Sequence, residues 1–245
     1  MRPLKPHQLR LEDNMQMENI DHDLLKKRGF LRQRQDGFFV LRTRMATGVY
    51  KKEQLEKLAD IASRYGNGIV HATTRQGLEI PFIKYEDISA VEKELRASGI
   101  LLGTSGPRLR TTTACPGNNW CKRGLIDTFH LAERIEKELG MVCGMDLPHK
   151  FKISISGCPN GCMRPQNSEI GIHGTAGGFV VYLGGCNGRT LRNGLKLDKI
   201  FTEDEVLSLV QRSIAFFKSK AKPKQRLALL IEEAGKENFL KEVRG

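Results

Sequence analysis

The spacing of apolar and polar positions changes several times along the chain, and each change marks an element. Residues 37–45 crowd Phe, Val and Leu into one short run, which predicts a strand. Side chains alternate faces along a strand, so Arg42 and Arg44 point the same way. Residues 52–65 switch to helical spacing, with Leu55, Leu58, Ala59, Ala62 and Tyr65 on one stripe and Gly66 and Gly68 as a stop. Residues 69–73 and 78–83 predict two further strands, joined by Thr74, Arg75, Gln76 and Gly77. Residues 87–98 predict a second helix that buries Ile88, Val91 and Leu95, and 108–113 predict a closing strand. The order β-α-β-β-α-β is a ferredoxin-like arrangement, which by itself carries no function.

The pattern continues into a second unit. Residues 124–139 are amphipathic, with Ile126, Phe129, Ala132, Ile135 and Leu139 at helical spacing. Residues 151–157 alternate Phe-Lys-Ile-Ser-Ile-Ser, and 169–173 and 178–184 predict more strands. Thr202 with Glu205 forms a capping box for a helix carrying Val206, Leu209, Val210 and Phe217, and 224–243 predict a charged helical tail. The fold class expected is α+β. Its parts are an N-terminal surface arm (1–35), a ferredoxin-like half domain (36–106) and an α/β cofactor domain (107–245).

Composition supports an ordinary core, with 39% hydrophobic and 28% charged residues. The 40 Lys and Arg exceed the 28 Asp and Glu, a net charge of +12 that attracts an anionic partner, cofactor or substrate. The start of the chain is polar, and the longest uncharged run, 170–188, is broken by glycines and predicts strands and turns. A cytoplasmic location is therefore expected, with no membrane contact. There the six cysteines point to metal or redox chemistry before disulfides.

Four of those cysteines form two clusters, Cys115-Pro-Gly-Asn-Asn-Trp-Cys121 and Cys158-Pro-Asn-Gly-Cys162. Both sit in Pro/Gly/Asn loops, where backbone amides can reach a ligand and donate to sulfur. The five-residue gap in the first pair is wide for zinc, which favours two to four. Spacing alone leaves an iron–sulfur cluster, a zinc ion and buried structural thiols all open. Cys143 and Cys186 are unpaired in sequence and read as small buried hydrophobes.

C-x5-C followed by Ser-Gly-Cys158-Pro-Asn-Gly-Cys162 resembles the signature of the sirohaem-containing sulfite and nitrite reductases. The resemblance implies that Cys115, Cys121, Cys158 and Cys162 hold a [4Fe–4S] cube and that Cys162 also bridges to the sirohaem iron. Supporting segments run from about residue 38 to the C-terminus. Leu41-Arg42-Thr43-Arg44 is similar to a strand bearing a substrate arginine, here Arg42, with Arg44 a weaker sirohaem candidate. Thr73-Thr74-Arg75-Gln76 is similar to a loop that holds sirohaem carboxylates. Arg110 matches a second substrate arginine, and Lys150 and Lys152 match a paired-lysine strand. Arg suits carboxylates and oxyanions through its planar fork, and Lys adds a compact charge that can pass a proton. The paired lysines favour sulfite over nitrite within that family.

No dinucleotide or P-loop fingerprint is present, so electrons are expected from an acidic, ferredoxin-like protein steered by the basic surface. Only one copy of the repeat is visible, where larger relatives have two. That makes an isologous homodimer the expected assembly, with a monomer covered by its own N-terminal arm as the alternative. Two rival readings are a zinc-containing nucleic-acid-binding protein and a sirohaem electron carrier or sensor without turnover. With one Trp and four Tyr there are few stacking platforms for bases, so no nucleic-acid partner is expected.

Overall fold

The structure is a computed structural model describing residues 20–140 and 143–244. The first unit opens with helix α1 (His22–Lys27), capped by the Asp21 carboxylate, which accepts from the amides of Asp23 and Leu24. Strands β1 (Phe30–Arg32), β2 (Phe38–Arg44), β3 (His71–Ala72) and β4 (Leu78–Lys84) form an antiparallel sheet in the order β1-β2-β4-β3. The short strand β5 (Leu101–Leu102) pairs with the end of β2. Helices α2 (Lys52–Tyr65) and α3 (Ile88–Ala97) cover one face. Phe39 and Leu41 meet Leu58, Ile61, Ala62, Val91 and Leu95 there in one closed core.

Three expectations change here. Residues 20–35 are not a surface arm: β1 pairs with β2 from Phe30↔Leu41 to Arg32↔Phe39, and Phe30 and Leu25 are buried in the core. Residues 1–19, the rest of that expected arm, lie outside the described residues. The apolar stripe of α2 is turned by about one position. Ile61 is buried while Leu55 stands 47% exposed, because Leu58, Ile61, Ala62 and Tyr65 face the sheet. The closing strand is Leu101–Leu102 and not 108–113. The backbone of the latter bridges to Asp146 and Phe151 and so joins the second unit.

The second unit holds a sheet of order β10-β9-β8-β7-β6. Its strands are β6 (Thr113–Ala114), β7 (Ile153–Ser156), β8 (Ile170–Thr175), β9 (Gly178–Leu183) and β10 (Leu195–Lys196). β6, β7 and β8 run parallel, whereas β8, β9 and β10 are antiparallel neighbours. Helix α4 (Thr128–Lys137) makes the crossover from β6 to β7, capped by Asp127, which accepts from the amides of Phe129 and His130. Helix α5 (Glu203–Lys220) carries the expected Thr202/Glu205 capping box. The tail is two helices, α6 (Leu227–Ala234) and α7 (Lys236–Arg244). They break at Gly235, whose φ of 84° lies in the region that glycine tolerates. Among the described residues no helix is long and apolar enough to cross a membrane.

Candidate functional site

Parallel pairing is what brings the two cysteine loops together. Cys115 leaves the carboxyl end of β6, and Cys158 follows Gly157 at the carboxyl end of β7. Adjacent parallel strands release their following loops at one edge, the usual place for a ligand in such sheets. The junction is tight. A Cβ at Gly124 would collide with the backbone of Gly117, and one at Gly157 would lie 2.6 Å from the Gly117 Cα. That closeness lets the Gly157 amide donate to Cys115 Sγ at 3.0 Å, the kind of bond that stabilises thiolate charge. Ser156 Oγ accepts from the Met163 amide at 3.1 Å and fastens the second loop. Cys115 and Cys158 are half-buried, while Cys121 and Cys162 are exposed. Among the described residues no three His, Cys, Asp or Glu side chains close on a single-ion site.

Strand alternation builds the adjoining cavity. Phe151, Ile153 and Ile155 are fully buried in the core, and Lys150, Lys152 and Ser154 line the opposite face. Arg110, Thr111 and Thr113 continue that floor, while Arg42, Thr73, Thr74 and Arg75 come from the first unit. The cavity encloses about 630 Å³, inside the roughly 300–1,000 Å³ common for ligand pockets. Six cations line it: Arg42, Arg75, Arg110, Lys150, Lys152 and Arg164; Cys162 stands among them.

Three of the arginines are aimed by their neighbours. Arg42 donates from Nε to Glu79 Oε1 at 2.7 Å, and its Nη2 bonds the same carboxylate. Arg110 donates to the carbonyls of Thr104 and Gly106 at 2.5 and 2.9 Å. Arg75 donates from Nη2 to Thr111 O at 2.6 Å, while its buried Nε has no partner among the described residues. Burial pushes Arg75 down to about 10, which still leaves it charged at neutral pH. Burial also lowers the proton affinity of Lys152. The Glu169 carboxylate opposes that, and the charges of Arg75, Arg226 and Lys150 add to the lowering.

Two expected site residues are committed elsewhere. Gln76 points away from the cavity, because its side-chain amide donates to Ala114 O at 2.7 Å and accepts from Ala114 N at 2.9 Å. Arg44 does not line the cavity either; it pairs with Glu136 of α4 at 3.0 Å and ties the two units together. Three residues were missed by sequence reasoning. Arg164 lies two positions past Cys162 in a left-handed conformation (φ 52°), and its place in the cysteine loop was the available signal. Glu169 and Arg226 form a buried pair, with Arg226 Nε 2.8 Å from Glu169 Oε1. Glu169 Oε2 accepts the Lys152 amide at 2.9 Å, so the pair underpins the lysine strand. Nothing in the sequence signals a pairing across fifty-seven positions. Breaking a buried pair strands a charge at a cost of about 3–5 kcal/mol, so Arg226→Ala is expected to lower the melting temperature sharply in calorimetry.

The residues fit the two groups that the sequence implies. An orphaned buried Arg75 Nε, a cation-lined cavity and a threonine loop suit a carboxylate-rich macrocycle. Two thiol loops with an amide already on one sulfur suit a cluster. A mixed-sheet unit bearing two cysteine loops, set beside a ferredoxin-like half, defines a two-part class of protein. The family of that class is given by comparison. The nitrite and sulphite reductase 4Fe-4S domain family matches residues 105–245, and the nitrite/sulfite reductase ferredoxin-like half domain matches 31–98.

The chain belongs to this nitrite and sulfite reductase family, and its cofactors are a [4Fe–4S] cluster and a sirohaem. It is 31% identical over 276 residues to the coenzyme F420-dependent sulfite reductase of Methanocaldococcus jannaschii, covering 88% of this chain and 44% of that one. It is 31% identical over 201 residues to the nitrite reductase [NAD(P)H] of Bacillus subtilis, covering 82% of this chain and 24% of that one. The chain therefore spans less than half the length of either relative. Dissimilatory sulfite reductase I shares the fold, with a TM-score of 0.77 at 17% identity over 84% of this chain and 69% of that one. Each half matches its family once, in keeping with a single-repeat chain.

Proposed function

We propose that the chain reduces sulfite to sulfide at a sirohaem coupled to the cluster, with electrons delivered by a protein donor. The observation that carries this reading is the convergence of six cations and Cys162 on one cavity. When bound, the sirohaem and cluster supply electrons to the substrate. Cys115, Cys121, Cys158 and Cys162 would hold the cluster, with Cys162 shared between the two groups. Thr73, Thr74 and Arg75 would hold the macrocycle carboxylates. Arg42 and Arg110, each fixed by its own acceptors, present donors to an oxyanion. Lys150 and Lys152 add charge, and Lys152, whose hold on its proton is weakened by burial, passes a proton to a departing oxygen. Two lysines on one cavity wall match the higher charge of sulfite better than that of nitrite.

Anaerobic purification, an absorption spectrum and parallel sulfite and nitrite assays with reduced methyl viologen test this. Sulfide formation with a higher kcat/KM for sulfite is expected. Faster nitrite reduction would reverse the substrate, and an intact chromophore with neither activity would leave a carrier or sensor. Arg75→Ala is expected to reduce sirohaem per chain, read from its visible absorbance, more than it reduces cluster iron.

A homodimer is also proposed, in which the twofold brings residues of a second copy to each cavity. Co-expressing an inactive Cys162→Ser chain with an inactive Lys152→Met chain is expected to restore part of the activity if each cavity takes residues from both chains. No recovery, with a monomeric mass in sedimentation, would rule the shared site out.

A further inference from the structure

The loop between the first two cysteines carries a surface that the cavity does not use. Residues 118–123 are all exposed, Cys121 among them. Trp120, the chain's single Trp, is 66% exposed, and Leu125 close by is 48% exposed. Phe129 meets the indole edge-on, with centroids 5.2 Å apart, and props it up without covering it. Lys122 and Arg123 flank this apolar spot, and neither makes an ion pair among the described residues. A large aromatic beside cations and an exposed leucine is the composition of an interface centre. None of these residues lines the cavity.

We propose that the patch formed by Trp120, Lys122, Arg123 and Leu125 is the docking surface for a small acidic electron-carrier protein, which passes electrons in beside Cys121. The inference rests on the reductase reading, because only a cluster held by Cys121 gives such a carrier a destination. Charge selects the occupant: the chain is +12, the patch presents two unpaired cations, and an acidic partner would be steered onto it. Trp120 supplies apolar contact at the centre, where single residues dominate affinity.

The test uses the cofactor-loaded protein and a small acidic [4Fe–4S] ferredoxin. Calorimetry with the oxidised ferredoxin is expected to show salt-sensitive binding. Lys122→Glu with Arg123→Glu should weaken it at least about tenfold and flatten the salt dependence. Trp120→Ala should weaken it about tenfold while the salt dependence stays. Turnover at low concentrations of reduced ferredoxin should fall by the same factors, with methyl viologen-driven turnover unchanged. Equal ferredoxin affinity in wild-type and charge-reversed protein would overturn the proposal. So would no binding to the wild type, or a parallel loss of dye-driven turnover in the variants. Binding that depends on the patch, in a protein that reduces neither anion with methyl viologen, would uphold the docking surface and sink the reaction.

Discussion

A Cys162→Ser chain is expected to purify without its cluster, and the same holds for Cys115→Ser, Cys121→Ser and Cys158→Ser. Serine keeps the size of cysteine and loses the soft thiolate that iron–sulfur chemistry needs. The scaffold should survive, because none of the four is a core residue: they lie in loops beyond β6 and β7, and two are exposed. Iron and acid-labile sulfide per chain, with the visible spectrum, measure the loss, and far-ultraviolet circular dichroism checks the fold. Cys143→Ser and Cys186→Ser are the controls. Cys143 meets the Thr111 hydroxyl at 3.5 Å, and Cys186 is 5% exposed under a turn closed by its backbone pairing with Arg192. Both variants should keep about four cluster irons and one sirohaem iron. Iron lost from the Cys186 variant but kept by the Cys158 variant would overturn the ligand assignment.

The cysteine loops were legible because their chemistry is local. Spacing named the pairs, and the alternation of 151–157 placed Lys150 and Lys152 on one face. The helix over 52–65 was legible in extent, yet its buried stripe was misplaced by a residue, since Leu55 and Ile61 are equally apolar and only the sheet decides between them. What stayed hidden were pairings between distant positions. Strand β1 binds β2 through backbone bonds that any sequence can make, so a basic segment looked like an arm. Gln76 and Arg44 sit beside cavity-lining residues but spend their side chains on Ala114 and Glu136, partners that the fold alone brings near. Glu169 and Arg226 read as two ordinary charges until β8 and α6 bring them together.

Lys152→Met is expected to keep the chromophore and lose most sulfite turnover, and Lys150→Met to follow it. Methionine preserves the length and apolar stem of lysine, so the segment leading into β7 keeps its packing while one cation leaves the oxyanion's surroundings. Hydrogen bonds to charged groups contribute about 1.5–3 kcal/mol. Roughly tenfold or more should therefore be lost from kcat/KM at each position, and from kcat where the proton is also needed. The pH profile separates the two lysines. Burial lowers the proton affinity of Lys152, so its charged form is complete well below that reduced pKa and disappears as pH rises through it. Wild-type kcat/KM should accordingly fall on the alkaline side earlier than an ordinary lysine would dictate. Glu169→Gln keeps an oxygen for the Lys152 amide but removes the one carboxylate that raises this lysine, so it should move the alkaline limb to lower pH. In Lys152→Met that limb should vanish, whereas in Lys150→Met it should persist at reduced rate. Wild-type rates in both methionine variants would mean that the reacting anion sits outside the cation-lined cavity.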